Sequence, residues 1–260
     1  MSEPAAVIEV RGLTKRYGDA RGVVDLTFEV GHGEAFGFLG PNGAGKTTTI
    51  RTLLDFIRPT SGSVRVFGMD PRREGVRVHE RVGYLPGELA LYERMTGEEF
   101  LRAFGELRGG GSRTWSRMTE LAGRLGLDLS RRIHDLSHGN KQKIGLAQAF
   151  MHDPDLLILD EPTQGLDPLV QQTFYSMVDE ERRRGAAIFL SSHVMPEVER
   201  LCDRVGIIRE GHLATVADIG ELKAKALRRL EFHFDGRYRP RPSNVCPASR
   251  RSPRAATRCS

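Results

Sequence analysis

Along the first thirty residues apolar and polar positions alternate. In "VIEVRGL" and "VVDLTFEV" the alternation puts Val24, Leu26, Phe28 and Val30 on one face, the pattern of half-buried strands. "EAFGFLG" changes the pattern: a short, nearly continuous apolar run suits a strand buried on both faces. After a glycine loop, Ile50, Leu53, Leu54 and Ile57 recur at i, i+3, i+4 and i+7, which predicts a helix. "SVRVFG" and "RVGYLP" supply further strands, and from about residue 88 to 135 the strand signal vanishes. That stretch reads as helical. Phe100, Leu101, Phe104 and Leu107 line one helical face, "GGGS" breaks it, and Trp115, Met118, Ala122 and Leu125 line the next, as packing stripes. Strand character returns in "LLILD" and "AAIFLSSH", separated by the helix-like "LVQQTFYSMVDEERRRG", the alternation of a βαβ unit. The prediction is an α/β core interrupted by a helical insert.

Composition narrows the class. At 260 residues the chain can form one sizeable core, in one or two domains. The net charge of +5 suggests nucleic acid until its distribution is seen: residues 236–260 hold seven arginines and no acid, so subtracting them from +5 leaves the rest at −2. That Arg- and Pro-rich stretch reads as an unstructured tail; a segment that binds anionic lipid or RNA, or one translated from a shifted frame, are the alternatives. No apolar run approaches a membrane span, and "MSEPAAVIEV" lacks the basic flank and apolar block of a signal peptide, so a cytosolic protein is expected. Cys202, Cys246 and Cys259 lack metal-ligand spacing and fit a reducing compartment.

Chemistry enters with the glycine loop. Gly40, Gly45, Lys46 and Thr47 fill the G-x-x-x-x-G-K-[ST] pattern of a P-loop, with a strand before it and a helix after. Such a loop turns successive N–H groups inward as an anion nest, the helix adds its positive end, and Lys46 reaches the β- and γ-phosphates of ATP. Thr47 is placed to ligate Mg²⁺. A carboxylate at the end of a neighbouring strand completes such a site, and "LLILDEP" supplies Asp160 for the metal, through water, and Glu161 to orient or deprotonate the attacking water. "AIFLSSH" ends by the same design at His193, assigned to the γ-phosphate or the attacking water. In "LSHGNKQK", Ser137, the Gly139 backbone and a helix start form a second small anion site.

"GPNGAGKTT", "LSHGNKQK", "LLILDEP", "GLD" and "SSH" occur in the order and spacing of ATP-binding cassette (ABC) ATPases, and the chain resembles that family over roughly residues 5–220. The resemblance implies a P-loop NTPase core with an antiparallel β subdomain and a helical subdomain at about 88–140. A C-terminal extension would start at 221–236, with 237–260 as the basic tail. It implies a head-to-tail dimer, with itself or a paralogous subunit, in which the Ser137–Gly139 turn of one subunit closes on the ATP held by another. Asn42, Gly43, Ala44 and Thr48 join the phosphate-binding loop, Tyr17 matches the aromatic that stacks on adenine, and Asp167 matches the loop that crosses the dimer interface. The likeness is to stand-alone ATPase subunits of bacterial multidrug and antibiotic exporters, peripheral on the inner face of the membrane beside a separate permease. No specific nucleic-acid partner is expected.

Two departures stand out. Gly87 replaces the glutamine that in this family contacts Mg²⁺ and water, so either the following Glu88 substitutes or the contact is lost. His138 and Asn140 vary the signature turn but leave Ser137 and Gly139 intact. A soluble cassette ATPase acting on ribosomes or DNA, and a regulatory ATP-binding module without turnover, are the rival readings.

Overall fold

A computed structural model describes residues 6–18 and 20–225. Asp19, residues 226–236 of the expected extension and the tail 237–260, with Cys246 and Cys259, lie outside the described residues. The two alternating segments form β1 (Ile8–Tyr17) and β2 (Ala20–Val30), and the continuous apolar run is β3 (Ala35–Leu39). Next come α1 (Lys46–Leu53), β4 (Ser61–Val66), α2 (Pro71–Glu80) and β5 (Val82–Leu85). The insert holds α3 (Gly97–Leu107) and α4 (Ser112–Leu125), and α5 (His138–Phe150) leads back to β6 (Leu156–Asp160). The chain continues through α6 (Pro168–Arg183), β7 (Ala187–Ser192), α7 (Met195–Leu201), β8 (Arg204–Arg209), β9 (His212–Asp218) and α8 (Ile219–Lys225).

The strands form two sheets. One is antiparallel, in the order β2-β1-β4. The other runs β5-β6-β7-β3-β8-β9, parallel except for the β8–β9 pair. Parallel neighbours need crossover connections, whose helices cover the sheet, so the central strands are buried on both faces. Alternate residues accordingly serve different cores. Ile158, Phe36, Phe38 and Phe189 pack with Leu13, Leu26 and Phe28 of the antiparallel sheet; the rings of Phe28, Phe36 and Phe189 are stacked and that of Phe38 is tilted against Phe28 and Phe189, with centroids 5.5 to 5.9 Å apart. Leu157, Leu159, Ile188 and Leu190 instead join Ile144, Phe150 and Phe174 of the helices.

Three sequence expectations are corrected. In β2 the buried position falls to Val23 and leaves Val24 half-buried, because Asp25 adopts a left-handed φ of 52° and the register between β1 and β2 shifts there. The helix after the glycine loop ends before Ile57: Asp55 at φ 54° terminates it, and the Phe56 amide donates back to the Arg51 carbonyl. Leu107 leaves the apolar stripe of α3 and is 82% exposed at the helix end, whereas Phe100 and Leu101 are buried. Helix α2 and strands β8 and β9 were not anticipated. Asp70 accepting from the Arg72 amide, followed by Pro71, was a legible start signal for α2.

Candidate functional site

β6, β7 and β3 are neighbours, so the loops at their carboxyl ends converge. The register sets Asp160 beside Ser191 and Leu39 beside Ser192, which brings Gly40, Glu161 and His193 to one edge. The cleft there is about 770 Å³ and is lined by the loop residues Asn42, Gly43, Gly45, Lys46, Thr47 and Thr48. Asp160, Glu161 and His193 line it from the sheet side, joined by Gly87, Glu88 and His138.

The loop geometry follows from glycine. Gly45 caps α1 at φ 110°, and a Cβ there would sit 2.5 Å from Val23 Cγ1, so no other residue fits. No side chain caps the first turn of α1, which keeps its N–H groups for an anion. Lys46 is 6% exposed; its Nζ donates to the Gly40 carbonyl at 2.7 Å and lies 3.1 Å from Glu161 Oε1. Thr47 Oγ1 donates to Asp160 Oδ2 at 2.8 Å, while Ser191 Oγ donates to Oδ1. This pair of hard oxygen donors fits Mg²⁺, whose remaining ligands would be water and phosphate oxygens.

Glu161 stands at φ 50°, held by its amide donating to the Ser191 carbonyl at 3.1 Å. Its Oε2 meets His193 Nδ1 at 2.7 Å, and its Oε1, though ion-paired with Lys46, takes no hydrogen bond. A Cβ at Gly87 would lie 3.2 Å from Asp160 Oδ2, so this backbone runs against the Asp160 carboxylate. Glu88 is exposed at the same cleft. Tyr84, also lining it, has its hydroxyl pKa pushed up to about 12 by burial and then by the Asp160 charge.

Other candidates lie elsewhere. Gly40 and Ala44 belong to the loop but do not line the cleft; Ala44 is buried in the core. Tyr17 is 43% exposed at the end of β1, beneath Lys15 Nζ at 5.1 Å, and is not a lining residue. Ser137 caps α5 by accepting from the Asn140 amide at 3.3 Å. Gly139 packs so closely that a Cβ would lie 2.6 Å from the Gly165 carbonyl oxygen. Asp167 caps α6, accepting from Leu169 and Val170 amides at 3.1 Å each. Two supporting residues escaped the sequence reading. Ser191 holds Asp160, and Gln142, 2% exposed on α5, donates to the Pro162 carbonyl at 3.1 Å beside Glu161. A polar residue on an otherwise apolar helix face was the one available signal for Gln142.

A glycine loop between β3 and α1, a buried lysine, and a threonine bonded to the aspartate of an adjacent strand define a P-loop nucleotide hydrolase. The profile described as ABC transporter matches residues 23–164, and the chain belongs to that family. It is 38% identical to the bacitracin transport ATP-binding protein BcrA of Enterococcus faecalis, over 87% of this chain and 74% of that protein. To a fluoroquinolones export ATP-binding protein of Mycobacterium tuberculosis it is 36% identical, over 88% of this chain and 77% of the other. A solved structure described as the ATP binding subunit of an ABC transporter superposes with a TM-score of 0.79 at 31% identity, covering 84% of this chain and 92% of that one. The P-loop ABC fold expected from the motifs is the fold observed, and ATP hydrolysis coupled to transport is the activity of the family.

Proposed function

We propose that this chain is the ATP-hydrolysing subunit of an exporter, and that ATP-dependent head-to-tail pairing of two such subunits drives a separate membrane permease. The observation that carries the reading is the contiguous set Lys46, Glu161 and His193 beside the bonded pair Thr47 and Asp160. Export is supported by the names of the two curated relatives. No helix among the described residues is long and apolar enough to cross a membrane, and in this reading the membrane path belongs to the permease, with this subunit on its cytoplasmic side. Residues 5–220 are the ATPase domain and about 88–140 its helical subdomain.

In the proposed mechanism the P-loop amides and Lys46 bind the β- and γ-phosphates, exchanging the Lys46–Glu161 ion pair for phosphate. Thr47 and Asp160 would hold Mg²⁺, which would neutralise charge on the phosphate oxygens. Glu161 Oε1, free of hydrogen bonds, accepts a proton from the attacking water as the water oxygen bonds to the γ-phosphorus and the bond to the β–γ bridging oxygen breaks, releasing ADP. His193 donates through Nδ1 to Glu161 Oε2 at 2.7 Å, which fixes the carboxylate and leaves Nε2 to serve the γ-phosphate. Catalysis is then positioning and charge neutralisation. Ser137 and Gly139 serve the partner's ATP, Asp167 lies at the subunit interface, and Tyr17 stacks on adenine.

Sedimentation velocity of Glu161→Gln with ATP and Mg²⁺ tests the pairing. The expected result is a dimer that disappears without nucleotide; a chain that binds ATP yet stays monomeric would overturn the head-to-tail reading.

A further inference from the structure

Glu197 on α7 is a carboxyl group that the hydrolytic machinery leaves without a role, and it is 4% exposed. Its Oε2 accepts from Ser192 Oγ at 2.5 Å, and that same Oγ accepts from the Val194 amide at 3.0 Å. One carboxyl group therefore secures the residues on both sides of His193. Burial chiefly, and the Glu161 charge in addition, raise the Glu197 pKa, while His193 acts the other way. Glu197 Oε1 makes no hydrogen bond. Burying a carboxyl group so incompletely satisfied is unfavourable, and an aliphatic residue on α7 would fill the space without that cost.

We propose that Glu197 is a positioning residue for hydrolysis: through Ser192 Oγ, which also holds the Val194 amide, it fixes the turn after β7 that carries His193, so that His193 meets Glu161 at 2.7 Å. The proposal rests on the hydrolytic roles given above to Glu161 and His193. It does not involve contact between Glu197 and ATP, because Glu197 is buried and does not line the cleft.

The test uses the full chain with Glu197→Ala, Glu197→Gln and Ser192→Ala. Turnover, ATP affinity and the imidazole nitrogen resonances of His193 in the nucleotide-free chain are measured, the resonances being assigned with His193→Ala. Glu197→Ala and Ser192→Ala are expected to lower kcat about 10- to 100-fold, since small misplacements of reacting groups have effects of that order. ATP affinity should stay within about twofold of the parent, a split that marks loss of a transition-state interaction. His193 resonances should shift or broaden in both. Glu197→Gln keeps an acceptor for Ser192 and should recover turnover to within about threefold. Parental kcat with unchanged His193 resonances in either truncation would overturn the proposal, as would an equal fall in kcat and ATP affinity in all three variants. If Glu197→Ala does not fold, Ser192→Ala and Glu197→Gln decide. A parent without turnover would defeat the hydrolytic reading, while the His193 resonances would still report whether Glu197 places the ring.

Discussion

Gly45 shows how much of the site depends on one backbone angle. At φ 110°, with Val23 Cγ1 in the way of any Cβ, alanine forces the loop to move, a strain of about 1–3 kcal/mol. Gly45→Ala is expected to lose ATP affinity in a fluorescent-nucleotide titration while keeping its circular dichroism spectrum. Lys46, Thr47 and Asp160 were legible in the sequence because a phosphate nest and its metal demand fixed residue types at fixed spacing. Ser191 was not, because its partner comes from a distant segment: it bonds Asp160 across two adjacent strands, and no pattern along the chain marks that pairing.

At the scale of elements, the helical insert is fastened to the core by charge. Glu181 on α6, 1% exposed, accepts from Arg117 of α4 at 2.8 Å and also pairs with Arg184. Glu181→Ala leaves both guanidinium groups without that partner and is expected to cost about 3 kcal/mol in urea unfolding. Arg102→Ala in α3 breaks an i,i+4 pair with Glu98, both side chains about half exposed, and should cost below about 1 kcal/mol. Equal costs for the two would contradict this account. Elements with a long apolar periodicity, such as α6, or a continuous apolar run, such as β6, were read correctly from the sequence. Strands β8 and β9 were overlooked because their short apolar runs follow the last motif, and the turn between them is marked only by Glu210 and Gly211. The end of α1 was misjudged because nothing in its composition announces a left-handed Asp55.

For the whole molecule, stability should fall on mild acidification. Burial first, then the Arg108 charge, depresses the His152 pKa from 6.5 to about 4, so the unfolded chain takes up this proton before the folded one does. The stability tied to neutral His152 is present above pH 6.5 and is lost as pH falls towards 4. Between pH 7 and 5 this amounts to ~2 kcal/mol, and His152→Gln should remove that part of the pH dependence in urea titrations. At this scale the order of motifs along the chain was enough to read the family. The strand order β5-β6-β7-β3-β8-β9 was not legible, since it arises from crossovers that no local pattern encodes. Yet that order gathers Lys46, Asp160, Glu161 and His193 at one edge.

The measurement that tests the central claim most directly is phosphate release from ATP and Mg²⁺ by the purified chain, run beside Glu161→Gln with bound nucleotide quantified in both. The account predicts turnover by the parent and, in the variant, bound ATP with turnover lost. A parent that binds ATP without releasing phosphate, or a variant that hydrolyses at the parental rate, would contradict it.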